Sequence, residues 1–167
     1  MALSKIYKAI GWTLAAAALA TTAYLVADLL PGRARAYAPS DQYTVTVETV
    51  SDRFTGLTWQ RDRATGTDLE ATAGCDALFL AGVTDWRLPT SAELATLVDF
   101  SVPPDFSSGV VRIDTLAFPT AVAADYWTST PISTSSDIRV MVNFASGCIQ
   151  GPVAWPHDTR SYRCVRR

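Results

Sequence analysis

Histidine is almost missing from this chain: one among 167 residues, beside three cysteines and two methionines. Those counts exclude a histidine-built metal centre and a multi-cysteine zinc module, and no cofactor is expected. Lysine stops at Lys8, and the formal net charge is only −2. A strongly basic nucleic-acid-binding domain is thereby excluded. The chain has no phosphate-cradling glycine-rich loop and no internal repeat. It also has no collagen-like or coiled-coil segment that would trimerise it, and no low-complexity tract beyond Ser133–Ser136. What is present is apolar: 49% hydrophobic against 18% charged residues, too apolar for a disordered tail. A chain of this length holds one domain of ordinary size.

The N-terminus reads as a targeting or anchoring segment. Lys5 and Lys8 open it, and the 19 positions from Ala9 to Ala27 carry no charge. Pro31-Gly32 closes the apolar stretch, and small residues alternate through Arg33-Ala34-Arg35-Ala36-Tyr37-Ala38. Basic, apolar, then small is the layout of a secretory signal. Cleavage frames end at Ala36 and Ala38, and Pro39 would follow the second, which favours the first. The apolar run would rise roughly 28 Å as a helix, near the thickness of a bilayer core. An uncleaved anchor is therefore a second reading, with membrane contact only through residues 9–30, and a buried soluble helix a third. The first two agree on export, to periplasm, cell surface or medium. The expected organisation is residues 1–36 as signal or anchor, 37–42 as linker and 43–167 as the domain. Residues 37–167 hold ten arginines against fifteen acids, a net −5 (10 − 15). Such a surface repels polyanions in general.

The exported part reads as α+β. Tyr43–Val50 alternates with β-branched residues and predicts one strand, turned at Ser51-Asp52-Arg53. Phe54–Gln60 predicts a second strand with Gly56 at a bend, and Arg61–Thr67 a loop. Asp68 is the expected cap of a helix reaching Leu80, with Leu69, Ala73, Ala77 and Leu80 at helical spacing and Gly82 as its stop. Asp85–Pro89 is extended. Thr90 and Glu93 form a capping box opening a helix through Leu94, Leu97 and Val98 to about Asp99. Residues 101–118 form a loop with an ordered piece at Val110–Ile113. Asp125–Thr130, Ile138–Phe144 and Ser161–Arg167 predict strands, and the terminal strands are candidates to pair. Ala145–Arg160 is a long late loop, and such loops are usually functional or mobile.

Five segments carry a resemblance: Asp52-Arg-Phe-Thr-Gly-Leu-Thr-Trp-Gln-Arg61; Ala73-Gly-Cys75 with Leu78; Asp85-Trp-Arg-Leu-Pro-Thr-Ser-Ala-Glu-Leu94; Tyr126-Trp-Thr-Ser-Thr130; and Tyr162-Arg-Cys-Val-Arg166. In this order the chain resembles the Lcl C-terminal domain family (Legionella collagen-like) over about residues 43–167. That family is similar to the C-type lectin-like fold, shared with formylglycine-generating enzymes and some retroelement-diversified ligand binders. The resemblance implies two helices on a twisted, mostly antiparallel sheet whose N- and C-terminal strands meet, with late loops forming a variable binding face. It also implies a bond between first helix and last strand, here Cys75 with Cys164. The family's prototype binds sulfated glycans as an oligomeric adhesin. A net −5 counts against that ligand unless Arg139, Arg160, Arg163, Arg166 and Arg167 share one face.

Other readings of these residues stay open. Cys148 with Cys164 is a rival bond, and three buried thiols a further alternative. Cys148, if left over, is unpaired or an intermolecular link in a homo-oligomer. Trp59, Trp86 and Trp127 are expected in the core, because an indole between helix and sheet needs one partner for its N–H and otherwise packs. Pro89 closes the extended signature. Arg87 is expected to pair with Asp85 or Glu93. Trp155, His157, Asp158 and Arg160 lie together in the late loop, the aromatic and hydrogen-bonding mixture that sugar recognition uses. Arg139 is a candidate to join them, and an ordinary loop with one anchoring Trp is the plain alternative.

Enzyme readings find little support. Cys148 and His157 stand nine residues apart with no third orienting group. No carboxylate pair stands out for glycoside hydrolysis. The cysteine arrangement of formylglycine-generating enzymes is missing, as are the Glu-Pro-Asn and Gln-Pro-Asp elements of calcium-dependent lectins. Asp137, Asn143 and Asp158 could hold a cation only through an arrangement the sequence does not reveal. The expectation is a non-enzymatic exported module binding a glycan or surface protein. The alternative is a structural component of the envelope or a surface filament.

Overall fold

The computed structural model describes residues 42–104, 109–133, 138–151 and 158–167. All belong to one compact unit, Ala36–Arg167. Among the described residues no helix is long and apolar enough to cross a membrane. Two sheets and two short helices make this unit α+β.

The first sheet contains β1 (Tyr43–Val45), β2 (Thr49–Asp52), β3 (Leu57–Gln60) and β9 (Val165–Arg166), in that order and antiparallel throughout. The single strand expected over Tyr43–Val50 is a hairpin, and its second arm runs on to Asp52. Thr46 causes the break: its hydroxyl accepts from the Thr49 amide at 2.9 Å and the Glu48 amide at 3.3 Å. A threonine can close a turn through its side chain even where its β propensity favours a strand. The next turn falls at residues 53–56. Asp52 organises it, accepting from the Phe54 amide at 2.9 Å and the Thr55 hydroxyl at 2.8 Å. Gly56 supplies a φ of 69°, in the left-handed region that glycine adopts freely.

The second sheet contains β4 (Ala64–Gly66), β5 (Asp125–Pro131), β6 (Arg139–Asn143), β7 (Ile149–Gln150) and β8 (Arg160–Tyr162), in the order β4-β8-β5-β6-β7. Only β5 with β8 is parallel. β4 lies within the stretch expected as a loop, and β7 and β8 cut into the expected late loop from both sides. The expected last strand, Ser161–Arg167, is two strands. β8 belongs to the second sheet and β9 to the first, so the chain crosses between sheets at Arg163-Cys164. The terminal strands do not pair with each other: β9 lies against β3, at the opposite edge of the sheet from β1.

Helix α1 (Asp68–Asp76) starts one residue from where the sequence suggested. Thr67, not Asp68, is the N-cap, in a reciprocal box with Glu70. The Thr67 bonds hold the Glu70 carboxyl below its usual range. The helix ends at Asp76 rather than Leu80, and its expected apolar stripe faces outward. Leu69 is 64% exposed, and Ala73 and Ala77 are exposed too. Ala71 and Cys75, four apart, are buried instead. The disulfide explains the rotation, since Cys75 is bonded to Cys164 with Cα atoms 5.4 Å apart.

Helix α2 (Ser91–Ala95) opens on the Thr90/Glu93 capping box. It ends earlier than Asp99, at Ala95, although Leu94, Leu97 and Val98 are all buried. Glu93 also receives both guanidinium nitrogens of Arg87, at 2.7 and 2.9 Å. The Arg87 hydrogen bonds, with those from Thr90, hold its carboxyl down to about 2. Asp85 is left to Arg166, at 2.7 Å.

Alternation along β5 divides the core. Trp127 joins Ala71, Cys75, Trp86, Leu88, Met141 and Cys164 in one cluster. Tyr126 joins Trp59, Leu94, Phe118, Val142, Phe144 and Val165 in the other. Successive strand residues point to opposite faces, so α1 and α2 lie on opposite faces of the second sheet. Trp59, Trp86 and Trp127 are 0%, 3% and 1% exposed. Arg163 is fully buried. It donates to the Gln60 and Arg61 carbonyls and stacks 4.5 Å from the Phe118 ring centroid. Burial pushes its guanidinium down to about 10.

Candidate functional site: a polar hub at one end of the second sheet

Four strands of the second sheet contribute polar side chains near one end. Asp125 opens β5, Asn143 closes β6 directly opposite it, Arg160 opens β8, and Gln150 reaches in from β7, where it stands opposite Met141. They converge on one carboxylate. Asp125 Oδ1 accepts from Asn143 Nδ2 at 2.7 Å and from Gln150 Nε2 at 2.8 Å. Its Oδ2 stands 3.8 Å from Arg160 Nη1. Arg160 Nη2 donates to Asp158 Oδ2 at 3.1 Å.

The hub also shapes its neighbouring turn. Asn143 Oδ1 accepts from the amides of Ala145 and Ser146, both at 2.8 Å. The Ser146 hydroxyl accepts from the Cys148 amide at 3.1 Å. Gly147 has a φ of 76° and packs so close to Val98 and Arg112 that an added Cβ would stand 3.0 Å from Val98 Cγ1. Arg112 fills the space beneath and donates to the Ser146 carbonyl. The amide of Asn143 is thus held at both ends, and a site on strands is more rigid than one on free loops.

The sequence-derived candidates divide. Asp158 and Arg160 belong to the hub, Arg160 from a strand rather than from the loop expected for it. Trp155 and His157 lie outside the described residues, as does Asp137. The described neighbours of residues 152–157 reach the hub on both sides, through Gln150 and through Asp158 with Arg160. Arg139 does not join. It pairs with Pro131 at the far end of the β5–β6 ribbon, about 13 Å along the strand from Asn143, and donates to the Ser129 carbonyl. Nor do the arginines share one face. Arg163 is buried, and Arg166 lies in the first sheet, where Asp85 engages it.

Asp125 and Gln150 were not legible as site residues. Each sits in an ordinary short strand, and only strand order brings them together. Among the described residues no group of three or more His, Cys, Asp or Glu is arranged to hold a metal ion. Cys148 is an exposed free thiol. Chemically the hub is a mixed array: carboxylate acceptors beside amide donors, with one guanidinium between two carboxylates. It is suited to reading groups that both donate and accept hydrogen bonds.

No curated protein matches the chain. The model of the Lcl C-terminal domain matches residues 48–166, from the residue before β2 to the end of β9. The match covers the second sheet, all of the first except β1, both helices and the polar hub, and the chain belongs to the Lcl C-terminal domain family.

Proposed function

We propose that this chain is an exported, non-enzymatic binding module. It uses the polar end of its second sheet, with residues 152–157 as further candidates, to recognise a glycan or surface protein. The observation that carries the reading is the convergence of Asn143, Gln150 and Arg160 on Asp125, between the two flanks of residues 152–157. Buried polar networks in a core satisfy themselves and stop. This one stays partly open to solvent, with Asp158 46% exposed in its side chain. The proposal includes a C-type lectin-like arrangement of the domain and export directed by residues 1–36, cleaved after Ala36.

Intact mass of the native protein under non-reducing conditions tests export and the bond together. The expected species begins at Tyr37, about 2 Da lighter than its all-thiol form, one hydrogen for each joined cysteine. A glycan array and capture on candidate surface proteins test binding. A folded protein that engages neither class overturns the reading.

The second reading is an assembly component. Its specific support is the exposed Cys148 thiol next to edge strand β7, where Ile149 is 53% exposed. A disulfide-linked dimer in the native envelope, lost with Cys148→Ser, would favour it.

A further inference from the structure

We infer that the hub selects a neutral, hydroxyl-bearing sugar and rejects sulfated or otherwise anionic glycans. The inference rests on the binding reading above and deepens it.

The argument begins with what each polar atom already does. Asp125 Oδ1 holds two amide hydrogens, from Asn143 and Gln150. Oδ2 faces Arg160 at 3.8 Å, beyond hydrogen-bond reach, and no described residue donates to it. An ionised carboxylate offers about four lone-pair positions, so Oδ2 keeps acceptor capacity. Each primary amide carries two hydrogens, and one from Asn143 and one from Gln150 are spent on Oδ1. An unfilled acceptor therefore lies beside two amide groups with a hydrogen to spare. A hydroxyl answers both, donating to the carboxylate and accepting from an amide. A sulfate oxygen can only accept, and it would meet Asp125 as a like charge.

Among the described residues, the one guanidinium that faces Asp125 does not reverse that sign. Arg160 stands between Asp125 and Asp158, so the three groups sum to −1 (1 − 2). Arg139 is at the other end of the ribbon, Arg163 is buried, and Arg112, buried beneath the turn, is engaged by the Ser146 carbonyl and the Phe100 ring. Asp125 is largely withdrawn from water, its side chain 16% exposed, which weakens screening of its charge. Local and global charge agree, since residues 37–167 carry a net −5 (10 − 15). Neutral ligands also make no use of counterion release, so binding should depend little on salt.

The test uses the full chain in mild detergent on an array of unsulfated oligosaccharides printed beside their sulfated counterparts. Expected are hits among the unsulfated set, an affinity nearly constant from low to high salt, and a loss of about tenfold or more in Asp125→Asn. That variant keeps the shape and one acceptor oxygen, and Gln150→Ala, at an edge strand, serves as a second. A thermal melt confirms that each is folded. Preference for the sulfated set, with affinity falling steeply in salt, overturns this inference and leaves the binding reading standing. Unsulfated binding untouched by both substitutions removes the hub from recognition. A folded chain that binds neither set fails the glycan reading itself.

Discussion

The hydroxyl of Tyr162 lies 2.6 Å from the point where a Cβ on Gly74 would stand. Strand β8 is pressed against helix α1 there, and only the absent side chain makes room. Glycine inside a helix is otherwise a poor choice, costing about 0.5–1 kcal/mol relative to alanine. Gly74→Ala should therefore lower the melting temperature despite its better helix propensity. In a Tyr162→Phe background the next ring atom is 3.4 Å away, an ordinary contact. There the same substitution should be neutral or stabilising. A double-mutant cycle by denaturant unfolding reads the difference. Equal costs in both backgrounds would remove the hydroxyl as the cause.

The bond from Cys75 to Cys164 spans 89 positions of sequence. Closing a loop of that size restricts the unfolded chain by about 4 kcal/mol in the chain-entropy model. Both cysteines are buried, at 0% and 1% exposed. Cys75→Ser or Cys164→Ser should therefore cost several kcal/mol, and strong reductant should act on the native protein only as fast as it opens. Unfolding curves with and without reductant measure both effects. Cys148→Ser should leave them unchanged.

Glu93 gives the fold a defined acid sensitivity. Its carboxyl sits near 2 when folded, against 4.5 as the ordinary value, chiefly through its hydrogen bonds from Arg87. A depressed carboxylate stabilises the fold fully above the unfolded value and loses that contribution as pH falls through the folded one. The loss should run from about pH 4.5 down to about 2. Glu93→Gln should be less stable at neutral pH and should flatten the acid limb in that window. Acid titrations followed by tryptophan fluorescence would show an unchanged limb if the pair does not matter.

The two fully buried indoles of Trp59 and Trp127 differ in one bond. Trp127 Nε1 donates to the Gly66 carbonyl at 3.0 Å, whereas Trp59 Nε1 has no partner among the described residues. Replacement by phenylalanine removes similar volume at each site. Trp127→Phe also strands a carbonyl, so it should be the costlier by about 1–2 kcal/mol. Chemical unfolding of the two variants gives the comparison directly.

Local chemistry was legible in the sequence where a few adjacent residues complete it. Thr90 and Glu93 are three apart and form the expected cap. Arg87 reaches Glu93 within the same short segment. The family signature marked the buried tryptophans and implied the cysteine pair. Direction was harder. Leu69, Ala73 and Ala77 repeat at helical spacing, yet a covalent bond to Cys75 turns the opposite side inward. A disulfide outweighs the burial of one leucine and two alanines. The hub was least legible, since Asp125, Asn143, Gln150 and Arg160 meet only after four strands take their order.

The crossing at Arg163-Cys164 makes residues 160–166 a condition for both sheets. β8 fills the gap between β4 and β5, and β9 completes the first sheet. Without β8 and β9, β4 has no strand neighbour, Cys75 lacks its native partner, and the buried Arg163 is missing from the core. Long-range pairing of this kind folds slowly and all at once. Neither sheet is complete without β8 and β9, so a chain cut before Arg160 should lose both sheets together rather than one of them.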